Sequence, residues 1–313
     1  MQEAIKLYLI SGFLGSGKTT FLQHLLTDFA DKKVGVIVNE FGNIGIDGKL
    51  VNRNSIKLVE INNGSIFCSC LKGGFVKTLL SFTKENIDIL FIENSGMADP
   101  SNMHRLLQEL DGKIEREYAY QGAVCILDPV SFLKYVQVLN PVINQVVSAS
   151  FIVINKVDLV NQGTIEKIRE KINELNKQAY IYQTMYGEVP PVILQDHLMD
   201  NGYEGQTSNR PYNRIYTCSL ECSNSIEKRN LKKFIRQMQD KLYRMKGFVM
   251  TKEGWIQVDV VGDICLLKQA ERHKRDVIQH TKLVLIGKGP EEFAEEMLIL
   301  WEQICKEKGE LYE

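Results

Sequence analysis

The sequence is poor in the features that would assign it to several broad classes. Its five histidines are scattered, so it contains no histidine-rich metal tract. No stretch reaches the roughly 18 consecutive apolar residues of a membrane helix, and the apolar runs are short and β-branched. The 38 basic and 39 acidic residues leave a formal net charge of -1 with no block of like charge. That removes the electrostatic footprint of a nucleic-acid or membrane-surface protein, so no nucleic-acid and no membrane partner is expected. Seven cysteines, scattered apart from Cys68 and Cys70, are too sparse for a disulfide scaffold in 313 residues. Free thiols and a cytoplasmic location are expected. Met1 to Lys6 carry neither a basic region nor an apolar signal core, so no targeting segment is expected. There is also no repeat of fixed period and no low-complexity tract.

What is present is an alternation of short apolar runs with helical patterns. The runs are Leu7 to Ile10, Val34 to Val38, Ile56 to Val59, Ile89 to Ile92, Ala123 to Leu127 and Phe151 to Ile154. Amphipathic segments at 18–29, 73–84, 101–110 and 163–176 separate them. Apolar strands without alternation are buried on both faces, so this order predicts an α/β fold with a doubly wound, mainly parallel sheet. The polar, glycine-containing stretch from Asp200 to Asn209, followed by Pro211, reads as a linker. It predicts a first domain over 1–205 and a small α+β domain over 206–313. In the latter the pattern predicts a strand at 213–219, a long helix near 226–244, strands near 247–250, 255–260 and 282–286, and a last helix from Pro290.

Gly12-Phe-Leu-Gly15-Ser16-Gly17-Lys18-Thr19-Thr20 follows the first strand and opens the first helix. Glycines at 12, 15 and 17 let backbone amides converge on a β-phosphate, and the helix N-terminus favours the same charge. Lys18 is expected to reach the β and γ phosphates and the Thr19 hydroxyl to ligate Mg²⁺. At the end of a later strand stands Asn155-Lys156-Val-Asp158. The Asp158 carboxylate can accept from N1 and N2 of guanine, whereas adenine would leave it unpaired, so GTP is expected over ATP. Asn155 would brace this loop and Lys156 lie along the base.

The run Ile87 to Ile92 ends in Glu93-Asn-Ser-Gly96-Met-Ala-Asp99-Pro. A strand-end carboxylate beside a phosphate loop is where such enzymes hold Mg²⁺ or its water, which makes Glu93 the candidate acid, and Gly96 can offer its amide to the γ-phosphate. Asp99-Pro can equally begin a helix. Residues 39–48 hold too many glycines for a helix and read as a switch loop whose acids, Glu40 and Asp47, could sense a metal. After the strand Ile56 to Glu60, Cys68 and Cys70 offer two thiols to one soft ion, which would need further ligands; two small core side chains is the competing reading.

Together, these blocks resemble the CobW-type metallochaperone GTPases, relatives of the HypB and UreG nickel-insertion GTPases. The resemblance extends to Arg244-Met-Lys-Gly247 and Leu283-Val-Leu-Ile-Gly287, which are similar to blocks bracketing the CobW C-terminal domain. It implies a P-loop NTPase fold, hydrolysis of GTP to GDP and phosphate, and delivery of a transition metal of the zinc or cobalt class to a client metalloprotein. The family's Cys-x-Cys-Cys motif is altered here. Its first two cysteines fall on Ser65 and Phe67, its third on Cys68, and Cys70 is an extra thiol. A site shifted to Cys68 and Cys70 with Glu40 is one expectation, with His104, Glu60 and Asp47 as further candidates. Two alternatives stand beside it: a GTPase activator of a cofactor-bearing protein, such as a corrinoid enzyme, that carries no metal itself, and a GTP-dependent regulatory module. No in-cis arginine finger or water-positioning glutamine follows Gly96, so turnover is expected to be slow without a partner, a cation or a nucleotide-dependent homodimer. The basic residues of the helix near 226–244 read as a solvated face or a dock for an acidic client.

Overall fold

Runs such as Val-Gly-Val-Ile-Val and Ile-Leu-Phe-Ile become the inner strands of a parallel sheet. The structure, a computed structural model, describes residues 3–38, 56–60, 72–205, 217–262, 264–270, 280–287 and 292–312. The chain divides into two compact units, Met1–Asn213 and Arg214–Glu313.

In the first unit seven strands are described: β1 (Ile5–Ser11), β2 (Val34–Val38), β3 (Ile56–Glu60), β4 (Ile89–Glu93), β5 (Tyr118–Leu127), β6 (Phe151–Ile154) and β7 (Tyr180–Gln183). All pair in parallel, in the order β3-β2-β4-β1-β5-β6-β7. Among the described residues the helices of this unit are α1 (Lys18–Asp28), α2 (Lys72–Phe82), α3 (Met103–Gln108), α4 (Phe132–Tyr135), α5 (Asn140–Ser148), α6 (Gln162–Leu175) and, after β7, α7 (Pro191–His197). On one face Ile10, Val36, Phe91 and Ile126 pack with Phe21, Leu22 and Leu25 of α1 and Leu194 of α7. On the other the Phe82 ring and the Leu90 side chain close over Gly35. Phe21 is 1% exposed, and cutting it to alanine would cost about 3–5 kcal/mol in lost burial and cavity formation. A sheet covered on both faces is the doubly wound architecture.

The direction of the chain reverses around β1, which lies between β4 and β5. Ligands of doubly wound sheets bind beyond the carboxyl ends of strands at such a point. The register sets Ile10 of β1 beside Glu93, the last residue of β4. Two sequence signals thus meet at one sheet edge.

The second unit has an antiparallel sheet in the order β11-β10-β9-β12-β8-β13 among the described residues, made of β8 (Thr217–Cys222), β9 (Leu242–Thr251), β10 (Gly254–Val261), β11 (Ile264–Gln269), β12 (Thr281–Gly287) and β13 (Glu310–Tyr312). Among the described residues it is joined by helices α8 (Lys228–Met238) and α9 (Glu292–Cys305), with Phe234 and Trp301 edge to face at 5.1 Å between centroids. The helix expected to run to 244 stops at Met238, and Arg244 belongs to β9. The misreading has a physical cause. Ile286 pairs with Arg244 but Gly287 pairs with Leu242, so a bulge at Tyr243 turns both Leu242 and Met245 into the core. A three-residue apolar spacing in a bulged strand imitates a helix.

Candidate functional site

Gly17 caps α1 from the left-handed region, φ 107°, where a side chain is disfavoured, and its Cβ would fall 2.4 Å from Asn155 Nδ2. The phosphate loop can therefore approach the Asn155 loop closely. Asn155 Nδ2 donates to the Ser16 carbonyl at 2.9 Å, while Asn155 Oδ1 accepts from Lys156 N–H at 2.9 Å. Lys156 Nζ donates to the Gly15 carbonyl and pairs with Asp128 Oδ2 at 2.7 Å. The backbone of Lys156 is left-handed at φ 53°, and the next residues form a 3₁₀ turn, Val157–Leu159, on which Asp158 is exposed.

Lys18 Nζ folds back over its own loop, donating to the carbonyls of Gly12 at 2.9 Å and Phe13 at 3.1 Å. Thr19 Oγ1, in the first turn of α1, donates to Glu93 Oε1 at 2.8 Å. Thr20 is exposed on the same turn. The hydroxyl of Ser16 and both amide atoms of Asn94 are buried without a hydrogen-bond partner. A nucleotide's phosphates and a hydrated Mg²⁺ supply the donors and acceptors that such groups need, so the residues fit both.

Gly96 lies against the phosphate loop, and a Cβ there would stand 2.6 Å from Leu14 N. Its other side is held by α5. Gln145 Nε2 donates to the carbonyls of Gly96 at 3.2 Å and Ala98 at 3.0 Å, and Asn144 Nδ2 donates to Asp99 Oδ2 at 2.8 Å. Asp99 also accepts from Ser101 N–H at 3.0 Å. Thus one short segment touches the phosphate loop and is pinned to a helix outside it.

Several of these residues carried no readable signal. Gln145 and Asn144 are neutral amides on a helix, and their role depends on tertiary contact. Asp128 had one: it is a carboxylate at a strand end before a proline, in the position that drew attention to Glu93. Cys125 is also nearby, where burial pushes its thiol up to about 12 against the opposing pull of Ser11 and Lys18.

His104 Nε2 lies 2.9 Å from Asp200 Oδ1 and edge-on to Tyr120, an ordinary structural setting. Glu40, Asp47, Cys68 and Cys70 lie outside the described residues. Among the described residues no group of three or more His, Cys, Asp or Glu could hold a metal ion, and no helix is long and apolar enough to cross a membrane.

Residues 6–183 match the family model described as CobW/HypB/UreG, nucleotide-binding domain, and residues 215–300 match the cobalamin synthesis protein cobW C-terminal domain. The chain belongs to the CobW/HypB/UreG family. Its relatives include the zinc chaperone YjiA of Escherichia coli strain K12, 29% identical over 265 residues that cover 78% of this chain and 81% of that protein. Another is the zinc-regulated GTPase metalloprotein activator 1 of Dictyostelium discoideum, 28% identical over 235 residues, 63% of this chain and 50% of that protein. Against the crystal structure of Zn(II)-bound YjiA GTPase from E. coli, the match has a TM-score of 0.50 and 22% identity, over 97% of this chain and 99% of that one, and shows a shared fold. As a member of this family the chain has a P-loop nucleotide-binding domain followed by a small CobW C-terminal domain.

Proposed function

We propose that this chain binds GTP and hydrolyses it to GDP and phosphate, and that its nucleotide state controls a client protein in the cytoplasm. The observation that carries the reading is the Asn155 side chain, which ties the phosphate loop to the loop bearing Asp158. A phosphate cradle and a guanine reader held in one piece have little use apart from a guanine nucleotide. In this reading the amides of Gly12, Gly15, Ser16 and Gly17 cradle the phosphates, with Lys18 turning outward to them, Thr20 beside them, and Lys156 along the base. Thr19 and Glu93 hold Mg²⁺, which supplies charge neutralisation at the β and γ phosphates. Gly96 would sense the γ-phosphate through its N–H, a role supported by its close approach to Leu14 of the phosphate loop. Calorimetric titration with GTP, GDP and ATP tests the reading: guanine nucleotides bind and ATP does not. Equal affinity for ATP would sink it.

The client is a metalloprotein or another cofactor-bearing protein, and the chain acts as its activator. The printed names of the relatives, which include a metalloprotein activator and zinc chaperones, support a client of that kind. The activator form asks nothing of Cys68 and Cys70, in keeping with a motif whose first two family cysteines are replaced by Ser65 and Phe67. A second reading, favoured by the zinc-chaperone relatives, has Cys68 and Cys70 with Glu40 carry zinc or cobalt to the client and release it on hydrolysis. The double variant Cys68→Ser, Cys70→Ser separates them. Client activation that survives the change assigns an activator; loss of both activation and bound zinc assigns a carrier.

A further inference from the structure

Gln145, in the middle of α5, is 0% exposed and is buried on that helix beside Val142 and Val146. A buried amide loses water at both its polar atoms, and a leucine would fill a similar volume without that loss. What the amide gains is two bonds outside its own helix. Nε2 donates to the carbonyls of Gly96 at 3.2 Å and Ala98 at 3.0 Å, 49 and 47 residues away in sequence. Among the described residues Oε1 meets no donor, although it is buried. Turning the amide over would set its oxygen against two carbonyl oxygens, so chemistry fixes the arrangement. The side chain bears an unmet acceptor and is kept for its two donors.

The segment held in this way is a turn with fastened ends. Asn94 N–H donates to the Ile10 carbonyl of β1 at 2.9 Å, and Ala98 N–H returns to the Ser95 carbonyl at 3.0 Å. At the far end Asn144, the neighbour of Gln145, donates to Asp99 Oδ2 at 2.8 Å. Between these ends lies Gly96, the residue type with the greatest backbone freedom and the one set against Leu14 of the phosphate loop. A glycine peptide turns readily unless it is tied. Gln145 supplies the tie, through the Gly96 carbonyl itself and through that of Ala98.

We propose that Gln145, with Asn144 beside it, is a positioning residue for GTP turnover: it holds the Gly96 segment in the conformation that meets the γ-phosphate, and itself touches no nucleotide. A donor aimed in advance at the place where charge develops costs no reorganisation during the reaction. Without the tie, binding of the triphosphate would have to order the segment first, at the expense of affinity. GDP lacks the γ-phosphate, so its affinity draws nothing from this segment. The effect of Gln145 is therefore confined to the triphosphate state. This rests on the guanine-nucleotide reading above.

Two variants test it. Gln145→Leu removes both donors and keeps the volume, while Asn144→Ala, at a half-buried position, removes only the bond to Asp99. Each is compared with wild type, with Mg²⁺ present, for melting temperature, for affinity toward GDP and toward a non-hydrolysable GTP analogue, and for GTP turnover. In Gln145→Leu, GDP should bind within about twofold of wild type and the analogue about tenfold more weakly, with kcat about 100-fold lower. Asn144→Ala should move in the same direction by less, and it decides the matter by the same comparison if Gln145→Leu does not fold. Equal losses for GDP and the analogue, or unchanged analogue binding and turnover in a folded variant, overturn the positioning role and leave the guanine-nucleotide reading standing. A wild-type chain that binds neither GDP nor the analogue overturns both.

Discussion

Asn155 and Ser16 are joined by a 2.9 Å hydrogen bond from side-chain amide to backbone carbonyl across 139 residues of sequence. The same amide oxygen accepts from Lys156 and Gly187. One side chain therefore fixes three loops at the carboxyl edge of the sheet. Replacing it, Asn155→Ala, leaves the buried Ser16 carbonyl and two N–H groups without their partner. Unsatisfied groups of this kind cost about 1–3 kcal/mol each where water cannot reach them. We expect a lower melting temperature together with GDP binding weakened by more than about tenfold. Calorimetry and thermal unfolding on the same sample check both. A variant that lost stability alone would show that the three loops need no common brace to hold nucleotide.

Asp158 offers the converse case, because it is exposed and its replacement should leave the fold untouched. An asparagine at this position turns one acceptor into a donor. Guanine presents N–H groups to this edge, whereas xanthine presents a carbonyl at C2. Asp158→Asn is therefore expected to lose guanine affinity by about 100-fold or more and to gain affinity for xanthosine diphosphate. Competition between GDP and xanthosine diphosphate measures the exchange, with the melting temperature as the control. Unchanged preference would mean that the base is read elsewhere.

The sequence made the nucleotide edge legible because its parts are local. A strand, a glycine-rich turn and the start of a helix lie within Ile5–Asp28, and an apolar run ending in Glu93 or Asn155 signals a strand end without tertiary information. Residues that act across the fold were silent. Gln145 reaches Gly96 and Ala98 only because α5 packs beside the segment after β4, and nothing in Asn140–Ser148 distinguishes it from any other amphipathic helix. β7, at four residues, half-exposed and polar at its end, was too short to register, so the loop carrying Gly187 went with it. The second unit was harder still. Its strands alternate imperfectly, β11 is mostly exposed, and the bulge at Tyr243 placed Leu242 and Met245 at helical spacing.

Glu93 and Thr19 stand in direct contact at 2.8 Å, on the strand end and the helix start that flank the phosphate loop. Glu93→Gln keeps a hydrogen-bond acceptor for Thr19 and removes the charge. If the carboxylate organises Mg²⁺, the variant should still bind GDP, need more Mg²⁺ for half-maximal GTP turnover, and turn over about 100-fold more slowly, the usual scale for losing one electrostatic stabiliser. Phosphate release measured across a Mg²⁺ series separates the outcomes. A turnover loss with an unshifted Mg²⁺ requirement would move Glu93 from metal organisation to positioning of water.

In the second unit Glu221 sits between two bases on the neighbouring strand and its approach, with Lys282 Nζ 2.7 Å from Oε1 and His280 Nε2 2.9 Å from Oε2. Partial burial alone would raise its pKa, but the hydrogen bond and charge of Lys282, followed by those of His280, outweigh it and hold the carboxyl below the ordinary glutamate value. The folded chain thus releases this proton more readily than the unfolded chain. Ionised Glu221 stabilises the fold fully above the unfolded pKa of about 4.3, and that contribution is lost as pH falls through the lower folded value. Glu221→Gln has no such proton to bind. Urea unfolding of both proteins should show wild type the more stable at pH near 6, with the gap narrowing once pH drops below about 4.3. Glu310 lies directly opposite Glu221 on β13, so its own protonation enters both proteins. The difference between them isolates Glu221, and a gap that stays constant with pH would assign its contribution to packing and not to charge.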